Sequence, residues 1–365
     1  MEFIRVEDCC EILDSQRKPV TESERIPGMY PYYGANGMQG TINQYIFDDK
    51  LVLVAEDGGH FGSKTKPIAY LVNGKCWVNN HAHVLRAKKG FLVEYICYSL
   101  MFYKIEGYIN GATRQKLTQA ALRKLIIPKR SEEYQKAIVD RLDLVKCIIK
   151  NKQIIIKELD QLIKSRFVEL FGDVVLNTLN WPLVKLSDIA EYRIGLTYKP
   201  EAVSSSGIAV LRSGNIQNSQ LCYEDTIYVN SKVESKMLLK KHDILMCARN
   251  GSKSLVGKVA LIEDDVLNTT YGAFMMAISS KYYVYLFEYF RSQAFRRLIS
   301  VGSTTTINQV TTKMLNSVVI PLPDIDTVNR FALYHSQINK LKSDVQKSID
   351  ETQLLMDSLM QEYFG

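Results

Sequence analysis

Three glycine- and asparagine-rich stretches in each half of this 365-residue chain carry side chains able to read bases or hold phosphates. The first half offers Tyr32, Tyr33, Asn36 and Gln39, then Asp57, His60, Ser63 and Lys64, then Thr113, Arg114, Gln115 and Lys116. The second half offers Arg212, Asn215 and Gln217, then Arg249, Asn250, Ser252 and Lys253, then Thr304, Thr305, Thr306 and Asn308. Arg, Asn and Gln make bidentate contacts to base edges, while Ser, Thr and Lys suit phosphates. Each residue alone is ordinary loop chemistry. Their recurrence is informative: the same three loops are polar in both halves but differ in composition, as expected of two different readers on one scaffold.

Catalytic chemistry is harder to find. Gly251-Ser252-Lys253-Ser254-Leu255-Val256-Gly257-Lys258-Val259 resembles a phosphate loop but has an extra residue between its glycines. Val259 also stands where that loop needs a magnesium-binding hydroxyl. No G-x-G-x-x-G opens a helix, no G-x-S-x-G elbow exists, and no Asn/Asp-Pro-Pro-aromatic methyltransferase motif or helicase nucleotide motif is present. His81-Ala82-His83 puts two imidazoles on one face of a strand, and His60 could join them at a metal. The second half has no matching histidines and no helpful Cys or carboxylate spacing, so a recognition or structural role is expected and no metal or cofactor is assigned. Asp324 and Asp326, the nearest thing to an acidic nuclease pair, fall where a helix begins and carboxylates favour the positive dipole end.

The elements that position these loops occur twice. Pro128–Gly172 aligns without a gap on Pro321–Gly365 at an offset of 193, with identities that include Gln153/Gln346, Ile156/Ile349, Glu169/Glu362 and Phe171/Phe364. Leu51–Ala55 matches Ile244–Ala248 at the same offset, and Arg5-Val6-Glu7-Asp8 matches Lys185-Leu186-Ser187-Asp188. The chain is therefore one unit used twice: a diverged mixed segment followed by a better preserved segment of about 40 residues.

The short segments are helices. Leu142, Ile149, Ile156, Ile163 and Leu170 recur every seven residues, interrupted on the adjoining seam by Lys152 and Arg166. Phe331, Ile338, Val345 and Leu359 form the second seam, joined by Ile349 and Met356. No Gly or Pro breaks 132–171 or 325–364, and about 40 residues at 1.5 Å each make a rod of about 60 Å. Two such rods are expected to pair as a coiled coil. The long segments read as mixed α/β, with strands at Leu51–Ala55, His83–Leu85, Ile244–Ala248 and Phe274–Ile278 and helices at Leu92–Tyr103 and Tyr283–Ile299. Gly34–Gly40, Asp57–Gly62 and Gly111–Thr113 read as loops.

Charge follows the same division. The net +7 resolves into +5 for residues 1–130, 0 for 131–173, +5 for 174–321 and −3 for 322–365. A basic excess in both diverged segments and in neither helix suits two phosphate-facing surfaces. An apolar content of 46% excludes a disordered chain. The best candidate for a membrane span, Phe91–Tyr103, is too short and contains Glu94. No signal-peptide pattern opens the chain and no C-x-x-C pair occurs among seven cysteines, so a reduced, cytoplasmic protein is expected.

Trp181-Pro182-Leu183-Val184-Lys185-Leu186-Ser187-Asp188-Ile189 resembles the start of a target-recognition domain. Gly111-Ala112-Thr113-Arg114-Gln115-Lys116-Leu117 leading to Leu125-Ile126-Ile127-Pro128, and Gly302–Thr306 leading to Ile320-Pro321-Leu322-Pro323, complete the pattern before each long helix. In this order, twice, the whole chain resembles the specificity subunit of a type I restriction-modification system. The first copy departs from it in lacking the Trp-Pro lead and in having Lys129-Arg130 where the second has Leu322-Pro323. The resemblance implies an α+β fold in which target-recognition domains at 1–130 and 173–321 are held apart by two long antiparallel coiled-coil helices, 131–172 and 322–365, with pseudo-twofold symmetry. It implies a non-catalytic subunit that reads a bipartite, asymmetric double-stranded DNA site and docks methyltransferase subunits, two by symmetry, which restriction subunits then join. The competing expectations are a lone methyltransferase or nuclease with unrecognised motifs, and a coiled-coil scaffold that does not bind DNA.

Overall fold

A computed structural model describes residues 2–111, 115–301 and 308–365. The fold is α+β and divides into two compact units, one of residues 1–153 with 346–365, the other of residues 154–345. Arg114, Thr304 and Thr305, with Thr113 and Thr306, lie outside the described residues.

In the first unit a six-stranded sheet runs in the order Cys10–Ile12, Ala82–Ala87, Phe47–Ala55, Ala69–Val78, Tyr30–Gly34, Gly37–Ile42. Only the Tyr30–Gly34/Ala69–Val78 pairing is parallel. The central strand carries the run Leu51-Val52-Leu53-Val54-Ala55, buried on both faces as a β-branched, aliphatic strand between two neighbours should be. The glycine-rich stretch 34–40, expected as a loop, is largely a hairpin, because Ala35-Asn36 turns the chain tightly and Gly37 takes a φ of +113°. Helix Val93–Met101 packs Tyr95, Ile96 and Leu100 into the core.

The second unit has two four-stranded sheets. One runs Glu191–Ile194, Met275–Ser279, Ile244–Cys247, Val259–Leu261; the other runs Val203–Ser204, Ile227–Val229, Ile208–Leu211, Thr269–Tyr271. The stretch 283–299, expected as one helix, is two: Tyr283–Arg291 and Gln293–Val301. Ser292 divides them in an extended conformation, its Oγ accepting from the Phe295 N–H at 3.2 Å. A local cap of this kind outcompetes the continuing helix, and apolar periodicity does not register it.

The repeat is visible in matching joints. Phe3–Arg5 pairs with Ile126–Pro128, and Leu183–Lys185 with Val319–Pro321. Thr118 caps Gln119–Lys124 by accepting from Ala121 N–H, and Thr311, 193 residues on, caps Thr312–Ser317 through Met314 N–H, both at 3.2 Å. Tyr95 donates to the Pro128 carbonyl at 2.8 Å, and Tyr285 to the Pro321 carbonyl at 2.6 Å.

The long helices are Glu132–Phe171 and Ile325–Phe364, 40 residues each. Ser131 and Asp324, again 193 apart, sit at their N-caps, where Ser131 Oγ accepts from Tyr134 N–H at 3.3 Å and Asp324 from Thr327 N–H at 2.8 Å. The Thr327 N–H and hydroxyl hold the Asp324 carboxyl below its ordinary value. Within each unit the two helical segments run antiparallel. In the first, Arg141 meets the Tyr363 hydroxyl at 3.0 Å, while Lys152 Nζ donates to the Ser348 carbonyl, Ser348 Oγ and Thr352 Oγ1 at 3.0, 2.7 and 2.7 Å. That explains the interruption at Lys152, since a seam position filled by a fully used ammonium fixes the register of the pair. Leu142 and Ile349 are buried in the seam, and Ile149 and Met356 are half-buried there. In the second unit Ile163 and Ile338 are buried, Ile156 and Val345 half-buried, and Lys342 pairs with Asp160 at 2.6 Å. There Phe167, Phe171, Tyr285 and Phe331 form one aromatic cluster with ring centroids 4.9–5.7 Å apart.

Candidate nucleic-acid interface

In each unit three polar loops converge on the end of a buried central strand. In the first unit that strand ends at Ala55. Asn36 Nδ2 crosses from the hairpin turn to the Gly58 carbonyl at 2.9 Å, the Asp57 main chain pairs antiparallel with that of Lys116, and Leu117 N–H donates to the Glu56 carbonyl at 2.7 Å. In the second unit the strand ends at Cys247. Asn250 Nδ2 crosses to Ser213 Oγ at 3.1 Å, Arg249 bridges Gln309, and Val310 N–H donates to the Ala248 carbonyl at 2.7 Å. Loops separated by as many as about 100 residues thus form one surface in each unit.

In the second unit this surface is a groove of about 970 Å³ whose walls include Arg212, Arg249, Asn250 and Asn308, together with Tyr198 and Phe274. Four expected residues from three loops therefore share one cleft. Arg249 lies over the Phe274 ring, 5.4 Å from its centroid, and Asn308 Nδ2 reaches the Gly251 carbonyl at 3.2 Å. Gln217 is exposed on a neighbouring hairpin, bonded to the Gly214 carbonyl at 3.3 Å. Ser252 is exposed, with its Oγ on Ser254 Oγ at 2.9 Å. Lys253 borders a separate recess beside Val256 and Arg296, although Asn308 reaches it too. Asn215 is only 2% exposed and organises the loop from inside: its Oδ1 accepts from Arg212 N–H at 2.8 Å and its Nδ2 donates to the Cys222 carbonyl at 2.9 Å.

In the first unit Asn36, Gln39, Gln115 and Lys116 are exposed, and His60 and Ser63 half-buried. Ser63 Oγ turns the local backbone by accepting from Lys66 N–H at 3.0 Å. Gln39 takes a hydrogen bond at 3.0 Å from buried Asn79, which also accepts from His81 N–H at 2.8 Å. Lys64 stands apart, in an apolar recess with Phe3, Phe102 and Phe364. Tyr33 is half-buried against Tyr70. Tyr32, expected as a stacking ring, is 1% exposed; its hydroxyl donates to the Val20 carbonyl at 3.0 Å and accepts from Val20 N–H at 3.2 Å, while Arg25 covers its face at 4.0 Å. Tyr32 and Asn215 are thus spent inside the protein, a distinction that loop composition does not carry.

Beneath the first unit's surface lies an ion-pair network. His83, wholly buried, joins Asp14 Oδ2 at 2.6 Å through Nδ1 and the Leu117 carbonyl at 2.8 Å through Nε2. Arg17 reaches Asp14 at 3.5 Å and Glu56 at 2.7 Å, and Lys116 reaches Glu56 at 3.0 Å. The ligand atoms of Asp14, Glu56 and His83 lie within 4.8 Å of one another, but two cations already balance the two carboxylates, which is the chemistry of a structural network rather than of a metal centre. Burial opposes ionisation of Asp14, yet the His83 hydrogen bond and charge, the Val84 N–H and Gln119 outweigh it and hold its carboxyl below the ordinary value. Burial likewise opposes Glu56, and Arg17, Lys116 and His83 outweigh it. Because both groups titrate lower when folded, their contribution is complete above the ordinary carboxylate range and is lost as the pH falls below about 4. Wild-type chain should therefore lose stability on acidification in part through this network, and Asp14→Asn should flatten that limb of a urea-midpoint-against-pH curve. An unchanged slope would remove Asp14 from the account.

The type I restriction modification DNA specificity domain matches residues 1–161 and again residues 179–355. The chain belongs to that family and carries two copies of its domain. A Haemophilus influenzae protein named as a type I restriction enzyme specificity subunit is 27% identical over 254 residues, 68% of this chain; the chain spans 65% of that relative's length. The MjaVIII specificity subunit of Methanocaldococcus jannaschii is 20% identical over 98% of this chain and 91% of its own. The type I restriction-modification S subunit from M. genitalium shares the fold with a TM-score of 0.59 at 15% identity, covering 100% of this chain and 96% of that one. Among the described residues no helix is long and apolar enough to cross a membrane.

Proposed function

We propose that this chain is the non-catalytic DNA-reading subunit of a type I restriction-modification complex. Residues 1–130 and 173–321 each read one half of a bipartite, asymmetric double-stranded site. Residues 131–172 and 322–365 form the spacer helices and dock two methyltransferase subunits, to which restriction subunits add. The observation that carries the reading is the repeated convergence of three loops on one strand end, with different side chains in the two units. One scaffold with two different polar surfaces is what a non-palindromic, two-part site requires. The repeated strand-and-helix joints offer a partner two equivalent seats.

The electrostatic part is directly testable. With +5 on residues 1–130 and +5 on residues 174–321, binding of the full chain to a duplex carrying its site should fall by roughly a thousandfold between 50 and 200 mM salt, with log affinity linear in log salt. Fluorescence anisotropy of a labelled duplex measures this. A salt-independent affinity, or methylation or cleavage by the purified chain alone, would overturn the reading.

A further inference from the structure

The two reader surfaces share one position that loop composition does not reveal. In the first unit the Glu56 N–H donates to the His81 carbonyl at 2.8 Å; in the second the Arg249 N–H donates to the Phe274 carbonyl at 3.0 Å. Donors and acceptors are both 193 residues apart. The next residue opens the matching strand in each case, Ala82–Ala87 and Met275–Ser279. His81 and Phe274 are therefore one structural position, at the point where the three loops meet, filled by rings of opposite character.

Both rings are open to solvent. Phe274 is 61% exposed on the groove wall, whereas Phe287, Phe290, Phe295 and Phe331 of the same unit are buried. The His81 side chain is 38% exposed. Asp57 Oδ1 holds His81 Nδ1 at 2.5 Å. In the tautomer that directs an Nδ1 proton at that carboxylate, Nε2 is left as an acceptor, and it has no hydrogen bond among the described residues. Phe274 instead presents apolar carbon beside the Arg249 guanidinium.

Building on the reading above, we propose that this ring position selects a base in each half-site: Phe274 takes the C5-methyl group of a thymine, and His81 accepts from the exocyclic amino group of adenine or cytosine. In the major groove thymine is the base that offers an apolar methyl, and the amino groups of adenine and cytosine are the hydrogen-bond donors. Arg249, steadied over Phe274, stands ready for the O6/N7 edge of an adjacent guanine.

The test is selection of bound sequences from a randomised duplex pool by the full-length chain, as wild type, Phe274→Ala, Phe274→His and His81→Ala. Wild type should return a two-part motif; if it returns none, the underlying reading fails and the ring assignment with it. Phe274→Ala should collapse one T·A preference in one half-site from about ten- to hundredfold to under threefold, leaving the other half intact. His81→Ala should do the same at an A·T or C·G pair in the other half. Phe274→His, which keeps a ring at an exposed position, should replace the lost T·A preference by one for an amino-bearing base. Uracil in place of that thymine should weaken wild-type binding by about five- to tenfold. A wild-type motif that both alanine variants reproduce unchanged, a uniform loss of affinity with every preference retained, or an affected pair other than T·A for Phe274 would overturn the assignment.

Discussion

A chain whose residues 1–130 are replaced by a reader for another half-site should exchange one half of the recognised motif and keep the other half and the spacer. Binding to the original site should fall by about a thousandfold or more, to the non-specific level. The joint makes the exchange feasible. The first reader meets its helices through contacts that a replacement can reproduce: Gln135 accepts from Leu92 N–H at 2.9 Å and donates to the Gly90 carbonyl at 3.0 Å, Tyr98 donates to Asp143 at 2.5 Å, Ile138, Val139, Leu142 and Tyr363 enter the reader's core, and the Phe364 ring lies 5.4 Å from that of Tyr95. A replacement that supplies those contacts leaves the second unit's groove untouched. Motif selection from randomised duplexes reads the outcome. Change in both halves, or in neither, would sink the modular account.

Asp243→Ala should destabilise the second unit by about 3–5 kcal/mol. Asp243 is 2% exposed and receives the Arg193 guanidinium, Ser279 Oγ at 2.6 Å and Lys240 N–H at 2.8 Å. Arg193 also donates to the Lys236 and Leu238 carbonyls at 2.8 and 3.0 Å, so removing the carboxylate leaves the guanidinium held in place with its charge uncompensated. Asp243→Leu combined with Arg193→Met should recover much of the loss, because a well-packed apolar pair avoids the desolvation cost of both ions. Urea unfolding followed by circular dichroism measures both variants. A loss below about 1 kcal/mol for Asp243→Ala would show that water reaches Arg193 freely.

Much of the architecture was legible in one dimension. Forty residues without Gly or Pro and with apolar side chains every seven marked out both long helices, and Asp324 was legible at the start of the second. Those features depend on neighbours three or four residues away, which sequence spacing describes directly. The break at Ser292 and the hairpin at 34–40 escaped because a single cap or turn overrode the average pattern around it.

The candidate interface was legible as a set of loops but not as a set of contacts. Arg212, Arg249, Asn250 and Asn308 share a groove because strand register carries their loops together, while Lys253 from one of those loops, and Lys64 from the matching loop of the first unit, border other recesses. Phe274 reads as the first residue of the strand Phe274–Ile278, yet the strand begins one residue later and its ring faces solvent. Repetition, helix length and the separation of charge are properties of order along the chain. The inward turn of Tyr32 and Asn215, the outward turn of Phe274 and its equivalence with His81 depend on main-chain pairing between distant segments, and that pairing exists only once the chain has folded.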